Sequence, residues 1–265
     1  MVNRSLARIV ALPVLLALAG CDAPQLDMKP GANSIFETFS GPTPSEAAAW
    51  AIDPYDPNNR YRGTLLLAGA PFAGEPVYMA LFRDNSDDSD PGVRAAAVRA
   101  IAIHGQPEDA AILVERLKDS DIPVRVESAR GLQRLYFPTA IDGLIETLDA
   151  EKEPEYEVRL EAALALGQYA ENRVVEQLIT ALADPNLAVN RNTLWSLRAL
   201  TGQDFGYNQK AWLLWYKGAG DAFAARGGYM YPAFNRDRSW WEYLPFVSPP
   251  PNEPTSVPVG MPTER

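Results

Sequence analysis

One phrase occurs four times in this chain, and its spacing limits the fold more than composition does. It reads Asp90-Pro91-Gly92-Val93-Arg94, Asp121-Ile122-Pro123-Val124-Arg125, Glu155-Tyr156-Glu157-Val158-Arg159 and Asn186-Leu187-Ala188-Val189-Asn190. The valines stand 31, 34 and 31 positions apart. A near-constant period of this size signals stacked supersecondary units, each burying its apolar face only against its neighbours. The expected fold is therefore all-α: a solenoid of about five helix pairs.

Every position in the phrase has a physical reason. Asp90, Asp121, Glu155 and Asn186 stand where a helix begins, and all but Glu155 have a short side chain suited to accept unpaired first-turn amides. Pro91 occupies a first-turn position, where its missing donor costs nothing. Further along comes a column of small residues, Ala97, Ser128, Ala162 and Thr193, and then a second, Ala100, Gly131, Ala165 and Ser196. Small columns let neighbouring helices approach closely, and the next column, Ile101, Leu132, Leu166 and Leu197, fills the space between them. A second helix follows in each unit, marked by Leu113 and Leu117, Leu144 and Leu148, Leu178 and Leu182, with Leu213 at the next step. Four-residue spacing puts both leucines on one face.

These residues resemble the HEAT-repeat family, and its relatives with phycobilin-lyase-type repeats, over roughly residues 60 to 217. The resemblance implies a right-handed superhelix whose second helices line a concave, partner-binding face. It also implies that the arginines tie neighbouring units together through loop acids such as Asp119; Asn190 departs from the arginine pattern. An earlier, degenerate unit is expected, because Tyr61-Arg62 lies 32 residues before Val93-Arg94 and Phe82-Arg83-Asp84 overlays Leu117-Lys118-Asp119. Gly63, Gly69, Pro71, Gly74 and Pro76 interrupt its pattern, as suits a terminal unit.

The N-terminus carries a second signal. Arg4 and Arg8 precede an apolar stretch from Ile9 to Ala19, too short to span a bilayer but of the length of a secretory signal. It ends in Leu18-Ala19-Gly20-Cys21, which resembles the lipobox of bacterial lipoproteins, and Cys21 is the only cysteine. The resemblance implies cleavage before Cys21 and several acyl chains on it, palmitate among them; two or more chains make anchoring stable. The expected division is a signal peptide over 1–20, a lipidated cysteine and flexible tether over 21–45, and a repeat domain over 46–217. An aromatic-rich cap over 218–247 and a Pro-rich disordered tail over 248–265 complete it. Asp22 resembles the residue that retains lipoproteins in the inner membrane of some enteric bacteria, and Ser45 is the expected cap of a first helix from Glu46 to Ile52. The expected location is the cell membrane or outer membrane, lipid-anchored and facing the periplasm or exterior.

Beyond residue 21 the chain keeps all 34 acidic residues and 22 of its 24 basic ones, a formal charge of −12. A field of that sign draws neither nucleic acid nor anionic lipid. Between Phe205 and Phe246 lie 13 of the 26 aromatic residues, Trp212, Trp215, Trp240 and Trp241 among them. Aromatics can anchor a partner, but the open end of a solenoid must also be covered, so a cap is the first expectation.

Little in the chain suggests catalysis. His104 is the only histidine, which leaves no triad base beside a placed nucleophile and no zinc cluster. The run from Asp84 to Asp90 offers oxygens at alternating positions, as calcium loops do, but Arg99 stands where a closing glutamate would fall. A solvated loop with Asp90 as a helix cap accounts for it more simply. No metal and no cofactor is expected.

If the family geometry holds, the partner-facing residues are Glu115, Arg116, Asp142, Glu146, Glu176, Gln177, Thr180 and Trp212, which together define an acidic groove. The expected function is a membrane-anchored, extracytoplasmic scaffold that binds a protein partner without catalysis. The alternatives are a cofactor-handling, lyase-like accessory working near Trp212, and a structural envelope component.

Overall fold

The computed structural model describes residues 42–233, 237–243 and 252–262. The signal-like segment, Cys21 and the tether as far as residue 41 lie outside these residues. Eleven α-helices are found among the described residues: α1 (Pro44–Ala51), α2 (Pro57–Ala68), α3 (Pro76–Asn85), α4 (Pro91–His104), α5 (Ala110–Arg116), α6 (Ile122–Gly131), α7 (Ile141–Leu148), α8 (Tyr156–Leu166), α9 (Asn172–Ala181), α10 (Leu187–Thr201) and α11 (Gln209–Gly218). From α2 onward they form five pairs. The first helices, α2, α4, α6, α8 and α10, pack in sequence one on the next. No described helix is long and apolar enough to cross a membrane.

The columns read from sequence are the stacking surface. Val93, Val124, Val158 and Val189 are fully buried, as are Ala97, Ser128, Ala162, Thr193, Ile101, Leu132, Leu166 and Leu197. Gly131 shows why small residues are required: a Cβ there would lie 2.2 Å from Leu113 Cδ2 and 2.8 Å from Ala102 Cβ. The second helices bury Leu113, Leu117, Leu144, Leu148, Leu178 and Leu182 between the pairs. In the last unit the register shifts by one residue. Leu213 is surface-exposed, and Trp212 is fully buried in its stead.

The first unit is real, but its landmarks differ from those expected. Gly63, expected to interrupt a helix, lies within α2 where α1 crosses it. A Cβ there would stand 2.3 Å from Ala51 N and 2.5 Å from Ala47 O. The helix tolerates glycine here because no larger residue admits the crossing. The cap of α1 is Thr43 rather than Ser45: its Oγ1 accepts from Glu46 N at 3.3 Å, while the Glu46 carboxylate accepts from Thr43 N at 2.6 Å, a reciprocal capping box. Asp90 and Asn186 cap α4 and α10 as expected, accepting from Val93 N and Ala188 N. Asp121 does not cap α6, because its carboxylate turns to Arg94, 2.9 Å away.

A ladder of arginines fastens the units, as the resemblance implied. Arg94 donates from Nε and Nη2 to the Asp119 carboxylate at 2.8 and 2.7 Å, and from Nη1 to the carbonyls of Asp88 and Ser89. Arg125 repeats this on Glu153 and the carbonyls of Asp119 and Ser120, and Arg159 on Asp184 and the carbonyls of Glu153 and Pro154. Each guanidinium thus clamps two successive inter-unit loops with a fork that lysine could not supply. In the first unit the ladder residue is Arg60, on Asp88, and not Arg62, which lies over the Trp50 ring. Burial pushes the Asp88 and Asp119 carboxyls up, but the hydrogen bonds and charge of Arg60 and Arg94 hold both below the usual carboxylate range. Asn190 ends the ladder: its Nδ2 donates to the Asp184 carbonyl at 3.0 Å, keeping only the inner half of the clamp.

Beyond α11 the chain turns back over the repeats. Ala222 and Tyr229 are buried; the Tyr229 hydroxyl donates to the Leu164 carbonyl at 3.0 Å, and its ring meets Trp195 edge-on. Gly202, left-handed at φ 66°, ends α10 where a Cβ would lie 2.1 Å from the Ala225 carbonyl oxygen. Residues 252–262, expected to be a disordered tail, instead lie against the repeats. Val259 N donates to the Arg134 carbonyl at 2.8 Å and Tyr136 N to the Val259 carbonyl at 2.9 Å, a parallel bridge beside Leu135. A proline-rich composition disfavours helix and regular sheet, but it does not prevent an extended segment from docking.

Candidate partner-binding surface

The residues expected to face a partner lie on the second helices, and cross-unit pairing occupies most of them. Arg116 on α5 pairs with Asp87 of the preceding unit and with the exposed Glu115. Asp142 on α7 pairs with Arg173 on α9. Glu146 on α7 lies 3.0 Å from Lys118 Nζ, whose hydrogen bond and charge hold its carboxyl below the usual range. Glu176 on α9 accepts from the Tyr216 hydroxyl on α11 at 3.2 Å. The Thr180 hydroxyl donates to the Glu176 carbonyl at 3.0 Å, and Gln177 is half-buried. The expected acidic groove is thus a face of alternating charges whose acids already have basic or hydroxyl neighbours. Such exposed pairs contribute little individually, roughly 0–1 kcal/mol.

Trp212 is not on that face. Its indole Nε1 donates to the Gly206 carbonyl at 2.8 Å, and its ring meets Phe205 and Trp215 edge-on at 5.0 and 6.0 Å. It plugs the end of the solenoid, so the first expectation for the aromatic concentration holds for this residue. His104 is structural: its Nε2 lies 2.8 Å from the Ala68 carbonyl. Three acids of the 84–90 run have protein partners too, Asp87 on Arg116, Asp88 on Arg60 and Asp90 on Val93 N. Among the described residues no group of three or more His, Cys, Asp or Glu side chains is placed to hold a metal ion.

The surface that sequence reasoning missed lies on the first helices. Two adjoining grooves share Ala95, Pro123 and Glu127. One continues over α2 and α4 to Tyr61, Leu65 and Arg99; the other continues over α6 and α8 to Ile122, Val126, Arg130 and Leu160. The first helical residue of α6, α8 and α10 is apolar and outward, with Ile122 38%, Tyr156 40% and Leu187 68% exposed. Trp195 on α10 adds an exposed indole. The signal was present in the repeated phrase: a solvated first turn has no need of isoleucine, tyrosine and leucine at the same step of three successive units. Apolar groups recurring on one face and rimmed by charge mark an interaction surface more often than a solvated one.

The family comparison agrees with this architecture. The HEAT-repeat family profile matches residues 46–133 and 111–198, more than half of the chain. The chain belongs to the HEAT-repeat family. Among solved structures it is similar to a chain of the complex of CpcE and CpcF of phycocyanin lyase from Nostoc sp. PCC7120, at 22% identity and a TM-score of 0.45, with 58% of this chain and 96% of that chain covered. It is also similar to an engineered protein, at 19% identity and a TM-score of 0.46, covering 66% of this chain and 85% of that one. No curated protein sequence matches it.

Proposed function

We propose that this chain is a lipid-anchored scaffold outside the cytoplasm that binds a protein partner along the grooves of its first helices and performs no chemistry of its own. The observation that carries the reading is the apolar row of Tyr61, Leu65, Ile122, Val126 and Leu160, rimmed by Arg99, Glu127, Arg130 and Glu157 across consecutive units. An interface core of aromatic and aliphatic groups inside a charged rim is the usual make-up of a protein-binding site. A fixed ladder beneath it keeps the spacing rigid, so a partner pays little ordering entropy on the scaffold side. The engagement of His104 with a backbone carbonyl and of the loop acids with arginines supports the non-catalytic reading. Anchoring rests on the sequence alone, through Leu18-Ala19-Gly20-Cys21.

Two measurements test the proposal. Cys21→Ala should move the full-length protein from the membrane to the soluble fraction of its native host; a membrane-bound variant refutes the anchor. A tagged full-length chain, captured from detergent-solubilised membranes, should bring down one stoichiometric protein that Ile122→Glu with Leu160→Glu removes. Capture unchanged by that pair would exclude the grooves.

A further inference from the structure

The C-terminal segment sits on the repeats as a ligand sits on a receptor. Glu253 reaches across 119 positions of sequence to Arg134, accepting from Nε at 3.0 Å and pairing also with Nη2, and lies 3.7 Å from Arg99 Nη2. The same Arg134 guanidinium stacks 5.5 Å over the Tyr231 ring. Six residues on from Glu253, Val259 makes its two backbone hydrogen bonds to Arg134 and Tyr136. Pro258 is buried between these anchors, and Gly260, at φ 82°, turns the chain where a Cβ would stand 2.5 Å from Pro107 Cγ.

Three features separate this arrangement from ordinary core packing. Pro254, Thr255, Ser256, Val257 and Val259 are exposed, so removing the segment uncovers little apolar surface. Recognition uses a carboxylate in an arginine pair, strand-type backbone hydrogen bonds and one proline, which is how a sheet-edge receptor reads an extended peptide. The segment also pairs with Tyr231, whose N donates to the Ser256 carbonyl at 3.0 Å and whose carbonyl accepts from Thr255 Oγ1 at 2.6 Å; an exposed segment held by edge contacts of this kind opens locally at lower cost than the whole fold. The site also adjoins the grooves: Arg130 and Glu161 line both the groove over α6 and α8 and the pocket beneath Tyr231.

We propose that the turn after α6, with Arg99 and Arg134, is a receptor site for an extended, carboxylate-bearing, proline-containing peptide of a partner protein, held closed in the free chain by residues 252–262. The site shares Arg99 with the rim of one groove but uses neither groove's apolar row, so failure here leaves the scaffold reading untouched. The test uses the full-length chain carrying Glu253→Lys and Val259→Pro, which repels the arginines and removes the donor to the Arg134 carbonyl. A fluorescent peptide with the sequence of residues 252–262 should bind this variant, and bind the unaltered chain at least tenfold more weakly because its own segment competes. The same peptide bearing lysine in place of its glutamate should also lose at least tenfold. Absence of binding to a double variant with unchanged far-ultraviolet circular dichroism, or equal binding to both proteins, would overturn the proposal. So would conversion of the double variant or the unaltered chain to a dimer through exchanged tails.

Discussion

Arg94 and Asp119 are 25 positions apart in sequence and share two hydrogen bonds of 2.8 and 2.7 Å, with the carboxylate 4% and the guanidinium 10% exposed. Arg94→Ala leaves that carboxylate without its main partner. Loss of one member of a buried pair costs about 3–5 kcal/mol, and the slight exposure places Arg94→Ala near the lower end, measured by urea unfolding. Asn190→Arg should by contrast stabilise by less than about 0.5 kcal/mol, since no further repeat supplies a carboxylate.

The ladder also sets the response to acid. Asp88 and Asp119 have folded pKa values below their unfolded ones. Their contribution is therefore present above the unfolded carboxylate pKa, near about 3.9, and lost as pH falls through the folded values. The urea midpoint should fall from pH 5 towards pH 2.5, and Arg94→Ala should show a smaller fall than the unaltered chain. A midpoint flat across this range would contradict the assignment.

At Gly63 the usual gain from replacing a helical glycine reverses. Alanine normally adds roughly 0.5–1 kcal/mol to a helix interior, but here its methyl would strike the backbone of Ala51 and Ala47. Gly63→Ala should destabilise by about 1–3 kcal/mol, as overpacking does, visible as a lower thermal midpoint.

Trp212 and Leu213 give opposite outcomes at adjacent positions. Trp212→Ala opens the end of the solenoid and should cost about 3–5 kcal/mol. Leu213→Ala, at a surface site, should change stability by about 0.5 kcal/mol or less. Comparable losses at both would place the sequence-expected leucine back in the core.

Where the sequence was legible, it was so through repetition. Columns of Val93, Ala97, Ala100 and Ile101 recur in four units, and each repeat tests the reading of the others. The ends escaped that check. Arg62 was favoured over Arg60, and Leu213 over Trp212, because a terminal unit has one neighbour and its register can drift by one or two residues without clashing. The docked tail was illegible for another reason: its anchor, Glu253 on Arg134, joins residues far apart in sequence that no period relates. The pairing on the expected partner face was illegible because salt bridges such as Asp142 with Arg173 span 31 positions, and single-helix reasoning counts both as free charges.

The role proposed for the first-helix grooves is to hold a protein partner. Its most direct measurement is photo-crosslinking in the native host, with a photoreactive amino acid placed at Val126 or Leu160 in the groove, or at Thr180 on the opposite helices. One discrete crosslinked protein is expected from Val126 and Leu160 and none from Thr180; a crosslink from Thr180 alone, or none from the groove positions, would exclude the grooves as the partner site.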